Sequence, residues 1–323
     1  HSVLEAKRTH KLTNRLNIRE LSFFGRKQEL SQLEEYLSLV ETGEAVGPFL
    51  VMGQSGTGKK RLLRQLVLMS NRSFNFIKVE GKATSQRYEG STWNDLKQAL
   101  EKLGNGMGIP FLEGEDDLIS VWNQLQGLSK EKPLLILLEN AHWIDAVSLE
   151  KVKQLEERRN QEKCQLIFTA EEPLPDFFVN FLGGLKVEKR LSQLELTNFE
   201  PSESRALLKG ELGAIEPAVM EQMVEWSEGS PFFLSSYIEE WKENENLEPL
   251  PDIIQAYLSQ ELGDMSSEEE ALLYYLSCFH KPISLSILAE LTATELPVLI
   301  ELVEPLSERA IVSIVEEGED LLV

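Results

Sequence analysis

The chain has 323 residues, too many for one ordinary hydrophobic core and enough for about two or three domains. Hydrophobic residues make up 42% and charged residues 27%, which is typical of a soluble globular protein. No apolar run approaches the ~18 residues of a membrane span, and the start lacks a signal-peptide layout. Cys164 and Cys278 have no metal-ligand spacing, so a reducing, cytoplasmic setting is expected.

The net charge of −22 is distributed unevenly. From Trp241 to Val323, 3 Lys and Arg residues stand against 18 Asp and Glu residues, a net charge of −15. Such a surface repels nucleic acid and anionic membranes, and neither is expected as a partner. Two interpretations stay open: a solvated face, or a docking surface for a basic protein partner.

Short apolar segments alternate with amphipathic ones up to residue 198. Residues 1–22 are polar and basic and predict a linker or a partial helix, before a helix over Arg26–Val40. Strands are predicted at Phe49–Met52, Phe74–Val79, Leu134–Leu138, Leu166–Thr169 and Leu191–Leu196. Helices are predicted between them at Lys59–Met69, Thr92–Leu103, Asp117–Leu128 and Ala146–Arg158. This alternation predicts an α/β fold, a parallel sheet with helices on both faces.

Beyond Asn198 the pattern becomes helical. Helices are predicted at Ser202–Glu211, Glu216–Glu228, Pro231–Trp241, Asp252–Leu262, Glu268–Phe279, Leu285–Leu291 and Glu295–Glu304. The last stretch, Ala310–Val315 with Asp320–Val323, predicts a β-hairpin. The last three helices and this hairpin have the size of a winged-helix unit.

The sequence GQSGTGKKRLLRQL, from Gly53 to Leu66, nearly matches the phosphate-binding loop G-x-x-x-x-G-K-[ST]. It follows a predicted strand and opens a predicted helix, which is the context this motif requires. Glycines let backbone N–H groups curl around phosphate oxygens, and the helix N-terminus adds partial positive charge. The expected nucleotide-binding residues are Gly53, Ser55, Gly56, Thr57, Gly58, Lys59 and Lys60.

Lys60 stands where the motif has a hydroxyl residue. That hydroxyl is normally a ligand of Mg²⁺, and a protonated ammonium has no lone pair with which to replace it. Two explanations remain open at this point. Lys60 supplies part of the metal's charge, or the site has lost the reaction.

An acidic residue ends the strand in the stretch KPLLILLENAHWIDAVSLEKV. Glu139 stands where a P-loop protein orients Mg²⁺ and its water, and Asn140 follows where a second acid would help to activate that water. Asn140 cannot take a proton, although it can orient a water. Both are the candidate catalytic residues, with Glu139 also the candidate metal ligand. Asp145 is expected to cap the following helix.

Four segments together resemble the signal-transduction ATPases with numerous domains, the STAND proteins, which are related to AAA+ ATPases. These segments are FFGRKQELSQLEEYL, GQSGTGKKRLLRQL, LLILLENAHWIDAVSLE and WSEGSPFFLSSYIEEW. The resemblance implies a five-stranded P-loop domain over 23–198, a helical lid over 199–248 and a winged helix over 249–323. It also implies that Phe24, Gly25 and Arg26 lie near the adenine, and that Gly229 and Pro231 hold the lid against the nucleotide.

Three departures from that family decide the functional expectation. Lys60 replaces the Mg²⁺-binding hydroxyl, Asn140 replaces the second acid, and Glu171 stands near the usual position of an Arg that senses the γ-phosphate. We expect a nucleotide-binding regulatory or scaffold module of a larger signalling protein, with weak or absent hydrolysis. It would bind ATP or ADP, with or without Mg²⁺, and act on protein partners or flanking domains. The alternatives are an ATP-hydrolysing conformational switch and, disfavoured by the acidic C-terminal third, a DNA-binding initiator-like ATPase.

Overall fold

The computed structural model describes most of the chain. The described residues are 22–44, 46–84, 88–109, 111, 117–130, 132–158, 163–245, 247, 251–256, 265–279, 282–308, 311–312, 314–317 and 320–323. The predicted linker over 1–22 lies outside them except for its last residue. Of the helix predicted over Asp252–Leu262, the structure describes residues 252–256, which are helical.

Five parallel strands form one sheet in the order β2-β3-β4-β1-β5. The strands are β1 (Phe49–Gly53), β2 (Asn75–Glu80), β3 (Leu134–Glu139), β4 (Cys164–Ala170) and β5 (Ser192–Leu196). Each predicted strand overlaps an observed one, and the predicted α/β fold with a five-stranded parallel sheet is confirmed.

Burial explains why these segments read as continuous apolar runs. The central strands β3 and β4 are buried along their whole length, whereas the edge strand β2 exposes Lys78. Side chains alternate between two cores, one on each face of the sheet. On β1, Phe49 and Val51 enter one core and Leu50 and Met52 enter the other.

Helices cover both faces of this sheet. They are α1 (Lys27–Thr42), α2 (Lys59–Ser70), α3 (Ser91–Met107), α4 (Asp117–Ser129), α5 (Ala146–Arg158) and α6 (Asp176–Val187). The sequence analysis did not predict α6, which contains Gly183 and Gly184, both poor helix formers. Packing compensates for this weak propensity, because Phe178 and Phe181 of α6 contact Phe168 of β4.

The segments after β5 form two further apolar cores. The first core belongs to α7 (Pro201–Leu212), α8 (Pro217–Ser227) and α9 (Pro231–Asn244). The second belongs to α10 (Ser267–Ser277), α11 (Leu285–Thr292) and α12 (Leu296–Glu308), with the antiparallel strands β6 (Val315–Glu317) and β7 (Asp320–Leu322). The first strand of the hairpin was predicted to end at Val315, but it begins there, with Val315 paired to Leu322. The lid and winged-helix assignments and the domain boundaries stay predictions.

No helix in the described part of the chain is both long enough and apolar enough to cross a membrane.

The Asp145 carboxylate contacts the N-termini of two helices, α5 and α3. It accepts hydrogen bonds from the backbone N–H of Ser148 (2.9 Å) at the start of α5, as expected of a cap, and from the Ser148 hydroxyl (2.7 Å). It also accepts from the N–H groups of Gly90 (2.7 Å) and Thr92 (3.3 Å) at the start of α3. Burial by itself raises the pKa of Asp145, but these hydrogen bonds outweigh it and lower the pKa.

We predict that Asp145→Ala lowers the free energy of unfolding by about 2 kcal/mol, because it leaves buried N–H groups of two helices without an acceptor. Urea-induced unfolding at pH 7 measures the loss. Asp176→Ala is the matched control, since Asp176 is an exposed aspartate in the first turn of α6 and should cost less than ~1 kcal/mol.

The deficit of Asp145→Ala should also depend on pH. A carboxyl group with a lowered folded-state pKa stabilises the protein above its unfolded-state pKa, and this contribution is lost as the pH falls through the folded-state value. The wild type and the variant should therefore converge in acid. A deficit that stays constant into that range would contradict the ionised cap.

Candidate nucleotide site

The sheet order brings polar residues together at one edge. Carboxyl ends of parallel strands meet at the same edge, and here the ends of β2, β3 and β4 lie beside the loop that follows β1. In the register of the sheet, Glu80 at the end of β2 stands opposite Glu139 at the end of β3. Glu171 comes directly after β4, which pairs with β1.

The loop after β1 has the backbone of a phosphate cradle. Gly53, Gly56 and Gly58 have φ values of 153°, 81° and 95°, which side chains other than glycine rarely adopt. The Thr57 hydroxyl donates to the Gln54 carbonyl (2.8 Å) and fixes the turn from inside, whereas Ser55 is exposed. Helix α2 then begins at Lys59, and no side chain caps its N-terminus at Gly58. Its first N–H groups are therefore available to an anion.

Lys59 is buried within this loop, with 6% of its surface exposed. Its ammonium donates to the carbonyl oxygens of Gly53 (2.6 Å) and Gln54 (2.8 Å) and to Oε2 of Glu171 (3.0 Å). Burial lowers the pKa of Lys59, and the charge of Glu171 opposes that shift. The lysine that should reach phosphate is thus bound to a carboxylate from the end of β4.

Glu171 lies between Lys59 and His142. Its Oε1 lies 3.5 Å from Nε2 of His142, and its backbone N–H donates to Nδ1 of the same ring (3.3 Å). Burial alone raises the pKa of Glu171, but the hydrogen bond with His142 and the charge of Lys59 outweigh it and lower the pKa to about 2. Glu171 is therefore an anion at neutral pH.

Lys60 points to the end of β2. Its ammonium forms an ion pair with Oε1 of Glu80, and the same oxygen accepts a hydrogen bond from Nδ2 of Asn140 (3.2 Å). Glu80 was missed by sequence reasoning, although its place as the last residue of a strand at the sheet edge was a usable signal. Lys60 and Asn140, two of the three residues expected to depart from the family motifs, thus both contact the carboxylate of Glu80.

Glu139 is buried at the end of β3, with 2% of its surface exposed. Its Oε2 lies 2.9 Å from the ammonium of Lys78, which reaches it from β2. Asn140 has a left-handed backbone (φ 52°), and its N–H donates to the Thr169 hydroxyl (3.0 Å). These residues do not fit the usual magnesium site, because an ammonium group lies beside each of Glu80 and Glu139 and the residue directly after Lys59 is Lys60, which has no hydroxyl.

The residues expected near the adenine form a junction between three segments. The Arg26 guanidinium donates to the carbonyl oxygens of Thr57 in the loop (3.3 Å) and Thr197 after β5 (2.5 Å). It also lies 4.6 Å from the centre of the Phe199 ring, which Phe24 contacts edge-on. Gly25 lies against the same ring: a Cβ added there would come within 3.2 Å of it.

The turn Gly229-Ser230-Pro231 contacts the loop directly. The N–H of Phe232 donates to the Gly56 carbonyl (3.2 Å), and Pro231 is the first residue of α9, where its missing N–H is harmless. On the other side, the N–H of Phe199 donates to the Gly229 carbonyl (2.8 Å). The structure thus brings Gly229 and Pro231 together with the loop.

Known proteins share the architecture in which this site lies. Residues 22–168, from the start of the described chain into β4, match the model of the AAA ATPase domain. The Walker-type ATPase of Pyrococcus abyssi superposes with a TM-score of 0.64 at 17% identity, covering 93% of both chains. The Aeropyrum pernix ORC2 protein (ADPNP-ADP complexes) gives 0.60 at 16% identity, covering 95% of this chain and 92% of that one.

A third known structure is the Aeropyrum pernix ORC1 protein in complex with DNA, with a TM-score of 0.51 at 15% identity over 95% of this chain and 90% of that one. No protein of curated function matches this sequence. The chain therefore has the fold of the P-loop ATPases, and its residues 22–168 are similar to the AAA ATPase domain.

We predict that Gly229→Ala destabilises the protein more than Gly108→Ala. Both glycines have left-handed φ values, 74° and 72°, so both substitutions carry a strain of about 1 to 2 kcal/mol. Only at Gly229 does the added Cβ collide with backbone, at 2.1 Å from the Phe199 carbonyl oxygen. Overpacking should add about 1 to 3 kcal/mol there. Equal losses in urea unfolding would show that this turn is not held tightly.

Proposed function

We propose that this chain is a regulatory module that binds ATP or ADP without requiring Mg²⁺ and hydrolyses ATP weakly or not at all. The observation that carries the proposal is the contact of Lys60 and Asn140 with Glu80. An ammonium group takes the place of the metal-binding hydroxyl and is held by a carboxylate of the same edge. The protein itself, through Lys60, thus supplies positive charge that a bound metal ion would otherwise bring.

Nucleotide binding itself rests on the loop. The glycine turns, the N-terminus of α2 and the ammonium of Lys59 are the groups that hold phosphates in P-loop proteins. The match to the AAA ATPase domain supports the same assignment. Lys59 and Lys60 would provide the charge that balances the phosphates, with the loop N–H groups providing hydrogen bonds.

Impaired hydrolysis follows from the state of the groups that would activate water. Asn140 cannot accept a proton, and its amide donates to Glu80. The carboxylate of Glu139 faces the ammonium of Lys78 at 2.9 Å. Glu171 stands where a positive charge would stabilise the γ-phosphate, and a carboxylate there is repulsive. These three features weaken separate parts of the reaction.

The resemblance to STAND proteins suggests a place within a larger signalling protein, with flanking domains or other proteins as partners. The acidic stretch from Trp241 to Val323, with a net charge of −15, favours a protein partner over DNA. The ORC1 structure with the same architecture is a DNA complex, but a DNA-reading surface should carry Lys and Arg. We therefore assign the segment from Trp241 to Val323, which includes the proposed winged helix, to protein contacts.

A second candidate, the ATP-hydrolysing switch, is favoured by the hydrogen bond between Phe232 and Gly56. This bond connects the phosphate loop to the proposed lid, so a nucleotide in the loop would act on α9 directly. Under this alternative Glu139 orients the attacking water.

Calorimetric titration of ATP and ADP, in Mg²⁺ and in EDTA, separates these functions. We expect the wild type to bind nucleotide with dissociation constants that differ less than about threefold between the two buffers, and to release no ADP from ATP. Lys59→Ala should weaken ATP binding at least about tenfold, because it removes the ammonium that reaches the γ-phosphate. Tight binding only with Mg²⁺, followed by turnover, would establish the active switch instead. No binding of either nucleotide would overturn both functions.

We further predict that Lys60→Thr creates a magnesium requirement. The substitution restores the hydroxyl ligand and releases Glu80, so Mg²⁺ should strengthen ATP binding at least about tenfold in the variant and not in the wild type. Lys60→Ala is the control, since it removes the ammonium without adding a hydroxyl. Both variants should unfold within about 1 kcal/mol of the wild type, because the Lys60–Glu80 pair is half-exposed. A variant as indifferent to Mg²⁺ as the wild type would contradict the assigned role of Lys60.

A further inference from the structure

The three hydrogen bonds of the Lys59 ammonium identify the group that a phosphate must displace. An ammonium has three N–H donors, and here the acceptors are the carbonyl oxygens of Gly53 and Gln54 and the carboxylate of Glu171. The two carbonyl groups belong to the loop itself and stay with Lys59 whenever the loop keeps its shape. Glu171 comes from another strand and is the exchangeable partner.

Glu171 is well held in this position. Its Oε2 contacts Lys59 at 3.0 Å and its Oε1 lies 3.5 Å from His142, whose side chain is buried. Its own backbone N–H donates to Nδ1 of the His142 ring, so His142 fixes the main chain at this position. The carboxylate also stays ionised at neutral pH, since its pKa lies near 2. A phosphate that approaches Lys59 therefore meets a fixed negative charge.

Apart from Lys59 itself, and His142 when protonated, the described cations form no ion pair with Glu171. Glu80 and Glu139 stand at the ends of the neighbouring strands, and each is already matched by one lysine, Lys60 and Lys78 respectively. Arg190 binds Glu156 and Glu188, and Arg26 binds the loop and Glu29.

The binding of nucleoside diphosphates and the binding of nucleoside triphosphates depend on Lys59 to different degrees. In a P-loop the backbone N–H groups surround the α- and β-phosphates, whereas the lysine reaches the β- and γ-phosphates. A diphosphate can therefore rely on the loop N–H groups while Lys59 keeps its bond to Glu171. A triphosphate brings a further charged group to Lys59, where it must compete with Glu171 and suffers its repulsion.

We infer that Glu171 makes this site selective for nucleoside diphosphates over nucleoside triphosphates. The inference rests on the nucleotide-binding function proposed above and names the residue that sets its specificity. Glu171 is a selectivity residue for the bound ligand, and it acts by holding Lys59 away from a terminal phosphate. The site would thus retain the product of an ATPase reaction in preference to its substrate.

The test compares ADP with ATP on the wild type and on Glu171→Gln, by calorimetry in EDTA. We expect the wild type to bind ADP at least about tenfold more tightly than ATP. Glu171→Gln keeps the shape and removes the charge, so the ratio should fall to within about threefold, chiefly through tighter ATP binding. Glu172→Gln is the matched control: it removes the same charge from the adjacent, exposed side chain and should leave the ratio unchanged.

The outcomes separate the inference from the proposed function. Equal affinities of the wild type for ADP and ATP would overturn the selectivity and leave nucleotide binding intact. An ADP preference that persists in Glu171→Gln, and in Glu171→Ala as a second variant, would assign the preference elsewhere and overturn the role of Glu171. Failure of the wild type and of both folded variants to bind either nucleotide would overturn the proposed function together with this inference. Thermal unfolding establishes that each variant is folded.

Discussion

The ion pair between Lys59 and Glu171 joins the phosphate loop to the sheet edge, and the geometry of the whole site depends on it. It exists because β4 pairs directly with β1, so the residue that follows β4 must face the loop that follows β1. Lys59 is buried, and removing one member of a buried pair leaves an uncompensated charge, which is strongly unfavourable. The pair therefore connects the loop to the end of β4 before any ligand arrives.

The same principle extends along the edge. Lys60 binds Glu80 and Lys78 faces Glu139, so each carboxylate that could attract a metal already has an ammonium partner. Side chains of α2 and β2 thus bring positive charge to the carboxylates of this edge. Under the proposed function, the loop keeps the form of a P-loop while Lys60, Asn140 and Glu171 replace the groups for metal binding, water activation and phosphate sensing.

Local signals made much of this architecture predictable. The strand, glycine loop and helix around Gly53–Lys59 follow one another in sequence, and the strands β1, β3 and β4 contain continuous apolar runs. The helix Asp176–Val187 was missed because Gly183 and Gly184 are poor helix formers. Packing against Phe168 stabilises this helix. Glu80 was missed for another reason: its contacts with Lys60 and Asn140 follow from the register of β2 against β3, which a sequence does not display. The expected cap Asp145 bonds to a second helix start that is distant in sequence.

The most direct test of this account is a crystal structure of the protein grown with ADP and Mg²⁺. The account predicts phosphate density within the loop, Lys60 still paired with Glu80, and no octahedral metal beside the β-phosphate. A magnesium ion coordinated by the β-phosphate and Glu139, with Lys60 displaced from Glu80, would contradict the claim that the protein supplies this charge itself.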